Sequence, residues 1–285
     1  MYGRYEQWLA HYGRVYNDIN KKEKRFKIFK ENVAFIESSN SDANKSHKLS
    51  VNQFADLTNE ELKSARNRFK GHEYSTRTSS FKYENVTTAV PASMDWRKKG
   101  AVTPNKDQGR CGCCWAFSAV AATEGTAQLT TGKLISLSEQ ELVDCDTGGE
   151  DKGCEGGSMD DAFQFIQQNH GISAEGSYPY NGTDGTCNTK EEGNIAAMIS
   201  GFEDVPANSE NALLIAVAHQ PVSVAIDASG SDFQFYSSGV FTETCGTILD
   251  HGVTAVGYGV SDDGTKSWFG IAYWLAKNSW GIEWG

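Results

Sequence analysis

The sequence predicts an α+β fold, in which a helical amino-terminal segment is followed by a helical lobe and then by a β-rich lobe. Apolar residues recur at helical spacing in residues 22–40. Capping-box patterns open further helices between residues 114 and 171. After about residue 201 the apolar runs become short and lie between glycines, as is typical of strands. We expect a functional site in a cleft between the two lobes.

Length and composition exclude several classes of protein. The 285 residues are 39% hydrophobic and include seven tryptophans, which is too apolar for a largely disordered chain. A mean hydropathy of −0.50 and the lack of an apolar run near 18 residues argue against a membrane-spanning helix. The net charge of −11 argues against a nucleic-acid partner, which requires a basic face.

The charge is unevenly distributed along the chain. Residues 1–89 contain 16 basic and 11 acidic residues, a net charge of +5, whereas the remainder carries −16 and all seven cysteines. The sequence therefore indicates a basic, cysteine-free segment joined to an acidic, disulfide-capable one. Opposite charge favours docking of the first on the second, and protonation of carboxylates would weaken it. Two soluble domains with unrelated surfaces fit the same charge pattern equally well.

The amino-terminal segment is predicted to be mostly helical. An apolar stripe runs through residues 22–40 at spacings of three and four. Thr58 and Glu61 form a capping box for a helix that continues to about Phe69. Residues 71–88 lose apolar periodicity and are predicted to be an exposed linker that is open to proteolysis.

Helix and strand signals divide the rest of the chain. A helix is expected to start near Cys114, and Ser138 and Ser158 mark the starts of two more. A fourth helix over residues 211–219 ends before Pro221. The predicted strands span residues 222–228, 239–241, 253–258 and 273–276.

Three cysteines within four residues are the sharpest local feature: Cys111, Cys113 and Cys114. A zinc site usually pairs such a knuckle with a second one, and none follows, so we predict no metal site. The alternative is a nucleophile at a helix N-terminus, where the helix dipole favours the thiolate. Cys114 is best placed for this role. A thiol with a pKa of about 8.5 also needs a cationic partner at acidic pH.

Histidines of the acidic part are the candidates for that cation. His170 and His219 each lie at a predicted helix end, which favours a capping role. His251 instead begins a predicted strand, from which it would project as a general base must. Asn278 is a candidate to orient the second nitrogen of its ring, with Trp280 shielding that contact from water.

These segments together resemble the papain-like cysteine endopeptidases: Gln108 to Trp115, Asp250–His251, and the Asn-Ser-Trp-Gly run at 278–281. The resemblance extends over almost the whole chain, because residues 25–40 match the helical propeptide motif of that family, and Asn52, Phe54 and Asp56 match its second propeptide motif. The sequence is most similar to the plant vacuolar and senescence-type members.

The resemblance implies a papain-like two-lobe fold, with a helical lobe and an antiparallel β-barrel-like lobe, preceded by a helical propeptide domain. The implied domains are an inhibitory propeptide at 1–70, a linker with the activation cleavage at 71–89 and a peptidase at 90–285, its lobes dividing near residue 200. Family members continue beyond the Trp284–Gly285 position, so we expect an incomplete β-rich lobe and no partner for Cys245 within this sequence.

The resemblance also implies a cysteine-type endopeptidase zymogen without a cofactor. Cys114 would be the nucleophile, His251 its acid–base partner and Asn278 the residue that orients the imidazole. The Gln108 side chain and the Cys114 backbone N–H would form the oxyanion hole. Substrate would lie along Gly156 and Gly157. The pocket for the second residue upstream of the scissile bond would be apolar and lined by Met159, Ala225 and Gly252, although Met159 is also compatible with plain core packing.

By the same resemblance, Cys111 pairs with Cys154 and Cys145 with Cys187. Cys113 stands where the family ordinarily has Ser or Ala. Residues 268–272 look inserted, and a shift of strand register there would separate Asn278 from His251.

Partners and location follow from this reading. We expect protein and peptide substrates, the chain's own propeptide as inhibitor, cystatin-type inhibitors and a monomer, with no nucleic acid and no membrane. Disulfides indicate the secretory pathway, with a vacuolar, lysosomal or extracellular destination, although the amino terminus has no apolar signal segment. Two alternatives remain: an inactive protease-like protein that inhibits or binds through its basic segment, and a truncated product that does not fold stably.

Overall fold

The computed structural model describes residues 1–71, 81–86, 89–261 and 271–285. A single turn of 3₁₀ helix covers Gly153–Glu155. The other elements in chain order are α1 (Tyr2–His11), α2 (Ile19–Ser41), β1 (His47–Leu49), α3 (Asn59–Arg66), β2 (Met94–Asp95), α4 (Cys114–Thr131), α5 (Glu139–Cys145), α6 (Met159–Gln168), β3 (Ile172–Ser173), α7 (Thr189–Glu192), β4 (Ile195–Ala197), α8 (Glu210–His219), β5 (Val222–Ile226), α9 (Ser231–Phe235), β6 (Tyr236–Gly239), β7 (His251–Ser261) and β8 (Ile271–Lys277).

The chain forms two compact units. The first contains residues 1–64, 228–246 and 282–285, and the second contains residues 65–227 and 247–281. Residues 228–246 therefore fold with the amino-terminal helices, whereas the sequence-based division assigned them to the β-rich lobe. Among the described residues, no helix has the length and apolar character that a membrane crossing needs.

Aromatic packing between α1 and α2 forms the core of the first unit. Tyr5 and Trp8 of α1 lie against Phe29 of α2, with ring centroids 5.1 and 5.4 Å apart. The Asp18 side chain starts α2 by accepting the N–H groups of Asn20 and Lys21. β1 pairs antiparallel with β6, which joins the two stretches of this unit that are far apart in sequence.

Helix α4 forms the centre of the second unit. Its first twelve residues, mostly small, are all buried, which lets neighbouring elements approach it closely. Gly132 ends the helix in the left-handed conformation, with φ of 75°. Its apolar neighbours include Leu142 of α5 and Ile166 of α6, in one continuous cluster.

Strand β7 organises the sheet of the second unit. It pairs antiparallel with β2, β5 and β8. The expected barrel-like lobe is not a closed barrel. Within the described part of the chain, β2, β5 and β8 each pair with β7 alone, so the four-stranded sheet stays open. The inserted-looking stretch lies partly outside the described residues, at 268–270, and residues 271–272 begin β8.

The predicted helix through Phe69 is shorter than expected. It ends at Arg66, and the following residues are extended. Phe69 forms a parallel bridge with Gly157, because the N–H of Gly157 donates to the Arg68 carbonyl and the N–H of Lys70 donates to the Gly157 carbonyl. These backbone hydrogen bonds replace the next helical turn.

Candidate active site

Side-chain hydrogen bonds attach the first turns of α4 to β7. Ser118 Oγ donates to the Val253 carbonyl at 2.7 Å, and Thr254 Oγ1 donates to the Ser118 carbonyl at 3.1 Å. As a result, the N-terminus of α4, where Cys114 lies, is next to the start of β7, where His251 lies. The carbonyl oxygen of Cys114 is 3.2 Å from the position that a Cβ on Gly252 would take.

The His251 ring is buried and oriented from one side. Its Nε2 lies 2.8 Å from Oδ1 of Asn278, and the same oxygen accepts the N–H of Ser279 at 2.8 Å. The Trp280 ring lies against the imidazole with centroids 5.0 Å apart. No hydrogen-bond partner among the described residues reaches Nδ1, so Nδ1 is the nitrogen left for proton exchange. Burial lowers the pKa of His251 to about 4.

The Cys114 thiol is also buried. Burial raises its pKa, although the backbone N–H groups of Gly252 and Arg68 donate to the sulfur and act in the opposite direction. Both groups are therefore neutral between about pH 5 and pH 7 in this structure. A thiolate–imidazolium pair would therefore require a change in the surroundings of both groups.

The Gln108 amide is held in one orientation. Ser279 Oγ donates to its Oε1 at 2.7 Å, which leaves Nε2 as the donor. Nε2 donates to the carbonyl oxygens of Cys111 at 2.9 Å and of Arg66 at 3.0 Å. Arg66 is the last residue of α3. Its carbonyl group therefore occupies the Nε2 donor of Gln108.

The five residues proposed for substrate binding lie in two groups. Ala225 of β5 faces Gly252 of β7 in the sheet register, and the Met159 sulfur is 3.1 Å from a Cβ position on Gly252. Gly156 and Gly157 carry the backbone that pairs with residues 68–70. A Cβ on Gly156, which has φ of 104°, would overlap the Arg68 carbonyl oxygen. Glycine is therefore required for this close approach.

Residues 66–70 have further anchors that the sequence analysis missed. Arg66 forms an ion pair with Asp107 at 2.8 Å, and Arg68 forms one with Glu155. Asn67 Nδ2 donates to the Asp250 carboxylate at 3.2 Å, and the Phe69 N–H donates to the Asp250 carbonyl at 3.0 Å. The sequence analysis gave no signal for this extended run, because it predicted a helix to about Phe69 and a loss of apolar periodicity only from residue 71.

The cysteines have three different environments. Cys111 is bonded to Cys154 and Cys145 to Cys187, with S–S distances of 2.03 and 2.10 Å, so Cys111 is not a free thiol for a metal. Cys113 is buried with its sulfur 3.1 Å from the Tyr180 hydroxyl, and burial raises its pKa. Cys245 is an exposed thiol.

The other two candidate histidines lie at helix ends, outside this constellation. His219 Nδ1 donates to the Ile215 carbonyl at 2.7 Å at the end of α8. His170 follows α6 with φ of 59°, the left-handed conformation of a helix terminus.

This constellation places the chain in a known class of hydrolase. The family model for the papain family cysteine protease matches residues 90–285, and the model for the cathepsin propeptide inhibitor domain (I29) matches residues 5–62. The chain belongs to the papain family and is a cysteine endopeptidase zymogen with an inhibitory propeptide.

Curated relatives and solved proforms agree with this assignment. The chain is 59% identical over 288 residues to the senescence-specific cysteine protease SAG39 of Oryza sativa subsp. indica, covering 100% of this chain and 82% of that protein. It is 56% identical over 292 residues to SAG12 of Arabidopsis thaliana, with the same coverage.

The crystal structure of the ragweed pollen cysteine protease Amb a 11 in its proform superposes with a TM-score of 0.90 at 44% identity, covering 99% of this chain and 85% of that one. The recombinant stem bromelain precursor gives 0.87 at 43% identity, covering 99% and 88%. The papain-like fold with its helical propeptide is thus confirmed. These relatives do not support the alternative of an inactive protease-like inhibitor.

Proposed function

We propose that Cys114, His251, Asn278 and Gln108 carry out peptide-bond hydrolysis in this endopeptidase. The observation that carries the proposal is the hydrogen bond from His251 Nε2 to Asn278, which leaves Nδ1 free beside the N-terminus of the helix that begins at Cys114. An acid–base histidine needs this arrangement, with one nitrogen oriented and the other available.

The reaction begins when residues 66–70 move away from Gly156 and Gly157 and from the catalytic residues. The Cys114 proton passes to Nδ1 of His251, and the thiolate attacks the substrate carbonyl carbon. Nε2 of Gln108 and the Cys114 N–H stabilise the oxyanion, and preorganised donors of this kind contribute about 3–4 kcal/mol each. His251 then protonates the leaving amine, which leaves a thioester. Water, deprotonated by His251, attacks the thioester and releases the acid and the thiol.

Substrate preference is set by an apolar pocket. Met159, Ala225 and Gly252 lie together, and Met159 belongs to the buried cluster around α4. Neither Ala225 nor Gly252 offers a polar side chain. We therefore propose that the second residue upstream of the scissile bond is apolar, with Leu, Val or Phe preferred.

Activation removes the amino-terminal residues up to about Ala89, assisted by acid, and leaves a peptidase that begins near Val90. The cleavage region 71–89 lies largely outside the described residues. Within it, residues 81–86 belong to the second unit and contact other residues of that unit. The Lys82 N–H donates to the Glu203 carboxylate at 3.0 Å, and the Tyr83 ring stacks on His219 with centroids 4.6 Å apart. These contacts favour a cut outside 81–86.

The proposed setting is the vacuole or another compartment of the secretory pathway. Two disulfides support an oxidising environment. The Arabidopsis relative described as the KDEL-tailed cysteine endopeptidase CEP2, 52% identical over 289 residues, supports the same pathway. Protein and peptide substrates, cystatin-type inhibitors and a monomeric state complete the proposal.

Active-site labelling after acid treatment tests the roles. An epoxide or vinyl-sulfone probe is expected to label the processed wild-type protein with one equivalent at Cys114 and not to label Cys114→Ala. Cys113→Ala is the matched control, because its thiol is adjacent in sequence, and this variant should label as the wild type does. Labelling that survives Cys114→Ala would overturn the assignment of the nucleophile.

The second arm measures cleavage of a Phe-Arg peptide substrate. Cys114→Ala and His251→Ala should each show essentially no turnover, while Cys113→Ala turns over. Absence of turnover in the processed wild-type protein, together with inhibition of a related enzyme by residues 1–89, would favour the inhibitor alternative.

A further inference from the structure

Two buried carboxyl groups lie in the loop between the two disulfides, from Cys145 to Cys154. Asp146 is 5% exposed and Asp151 1% exposed. Their side chains hydrogen-bond each other. The Oδ2 atom of each is buried, and no donor from the described residues reaches it. Two ionised carboxylates have no proton to donate, so such a contact requires that one of them be protonated.

The nearby negative charge of Asp161 raises the pKa of both carboxyl groups, as their burial does. Asp161 of α6 is the other charged group that faces both, and it raises the pKa of each. Burial raises both pKa values further. No lysine, arginine or histidine in the described ranges forms an ion pair with Asp146 or Asp151. The two groups therefore titrate as one unit.

We infer that Asp146 and Asp151 share a single proton and that Asp151 is a positioning residue for Gly157. This inference rests on the proposed function, in which Gly157 binds the substrate backbone.

Asp151 contacts the backbone next to Gly157, the residue proposed to bind the substrate backbone. Its Oδ1 accepts the N–H of Ser158, the residue after Gly157, at 2.6 Å. A Cβ on Gly157 would overlap that same oxygen and would lie 2.8 Å from the Trp115 ring. Gly157 is thus packed between Asp151 and the residue that follows Cys114. A displacement of Asp151 would move the N–H and carbonyl groups of Gly157. These groups pair with residues 68–70 in this structure and are proposed to pair with the substrate backbone.

Loss of the shared proton leaves two adjacent buried anions beside Asp161. Their repulsion displaces Asp151 and with it Gly157, while the catalytic groups keep their geometry. Peptide binding then weakens as the pH rises, so the effect falls on KM rather than on kcat.

Asp151→Asn is the diagnostic variant, because its amide N–H replaces the shared proton permanently and its oxygen can still accept from Ser158. In the acid-processed enzyme we expect the ratio of wild-type KM to Asp151→Asn KM to rise with pH, because only the wild type can lose the shared proton. Deprotonation of His251 at alkaline pH affects both proteins equally. Taking the ratio of the two KM values cancels this shared pH dependence. Glu150→Gln, which removes a charge from the same loop without touching the pair, should track the wild type. Asp151→Ala should raise KM at every pH.

The proton itself is measured on the full chain without reference to activity. Because the native pKa of the pair is raised, the native state binds one more proton than the unfolded state above about pH 4. Each pH unit from there to the native pKa shifts the unfolding equilibrium about tenfold toward unfolding. The Tm of Asp151→Asn should therefore exceed that of the wild type by an amount that grows with pH, while Glu150→Gln shows no such growth.

The two arms separate the outcomes. Parallel Tm curves for Asp151→Asn and the wild type would overturn the shared proton. A growing Tm difference together with an unchanged KM in Asp151→Ala would overturn the positioning role. A processed protein without any turnover would count against the proposed function, while the Tm comparison would still decide the shared proton.

Discussion

The backbone carbonyl of Arg66 accepts a 3.0 Å hydrogen bond from Nε2 of Gln108, the amide that we propose for binding the oxyanion. The Arg68 N–H, two residues further along, donates to the Cys114 sulfur. Arg66 and Arg68 therefore make polar contacts with the proposed donor and with the proposed nucleophile through their backbone groups. Burial is the first cause of the raised pKa of Cys114 and of the lowered pKa of His251.

The Cys114 thiol is predicted to react slowly with iodoacetamide in the full chain. Because the thiol and the imidazole are both neutral there, little thiolate exists at pH 6, and removal of the propeptide lets the ion pair form. We expect alkylation at least about 100-fold faster after processing. Mass mapping measures the rate at each cysteine. Glutathione added to both samples is the control for the reagent, and equal rates at Cys114 in the two forms would contradict the prediction.

Removal of the Gln108 amide is predicted to affect kcat. Gln108→Ala should lower kcat by about 10²–10³-fold with a small change in KM, because the oxyanion forms only after attack. Ser279→Ala should lower kcat by about tenfold, since the amide is retained but loses the hydrogen bond that orients it. Ser223→Ala, which removes a 2.9 Å hydrogen bond to Ser118 in the same unit, is the control. A loss of kcat in the control as large as that in Ser279→Ala would show that the effect is not specific to the amide.

Local signals at the proposed site were informative, because they mark where elements begin. A helix dipole at Cys114 and a strand start at His251 are visible in the sequence, and tertiary packing of α4 on β7 brings the two together. Asn278 was a candidate to orient the ring from the sequence, and the resemblance implies the same role. The 2.8 Å contact shows that the inserted-looking stretch does not separate Asn278 from His251.

Contacts between distant parts of the chain could not be predicted in the same way. The capping box at Thr58 formed as expected, yet the helix ended at Arg66, because ion pairing with Asp107 and the bridge at Phe69 outweigh local helix propensity. The pairing of β1 with β6 joins residues about 190 positions apart, for which a single sequence carries no local signal.

A negative charge in the apolar pocket is predicted to change specificity. Met159→Glu should lower kcat/KM about tenfold or more for peptides with Phe second upstream of the scissile bond, because the carboxylate has to be desolvated against an apolar side chain. The relative rate for Arg at that position should increase, since the two charges pair. Met198→Glu is the control, because Met198 is 72% exposed. An unchanged Phe-to-Arg ratio in Met159→Glu would assign Met159 to core packing alone.

His47 is predicted to make the stability of the first unit depend on acid. The ring is fully buried beside Phe241, with centroids 5.0 Å apart, and neither nitrogen has a hydrogen-bond partner among the described residues. Burial lowers its pKa, although the Glu243 and Asp232 carboxylates act in the opposite direction. Lys45 already neutralises part of their charge, with Nζ 2.7 and 2.9 Å from the two carboxylates. Lys45 and Lys48 add to the lowering of the pKa.

The sign of the pH effect follows from this lowered pKa. Above about pH 6.5 His47 is neutral in both folded and unfolded states and favours folding through its burial. As the pH falls below 6.5 the unfolded chain takes up the proton first, so stability is lost. His47→Phe should therefore reduce the drop in Tm between pH 7 and pH 5 by about 2 °C or more. Differential scanning calorimetry of the full chain measures it, with His11→Gln, a change at an exposed histidine, as control. An equal drop in Tm for His47→Phe and the wild type would show that His47 does not contribute to the acid sensitivity of this unit.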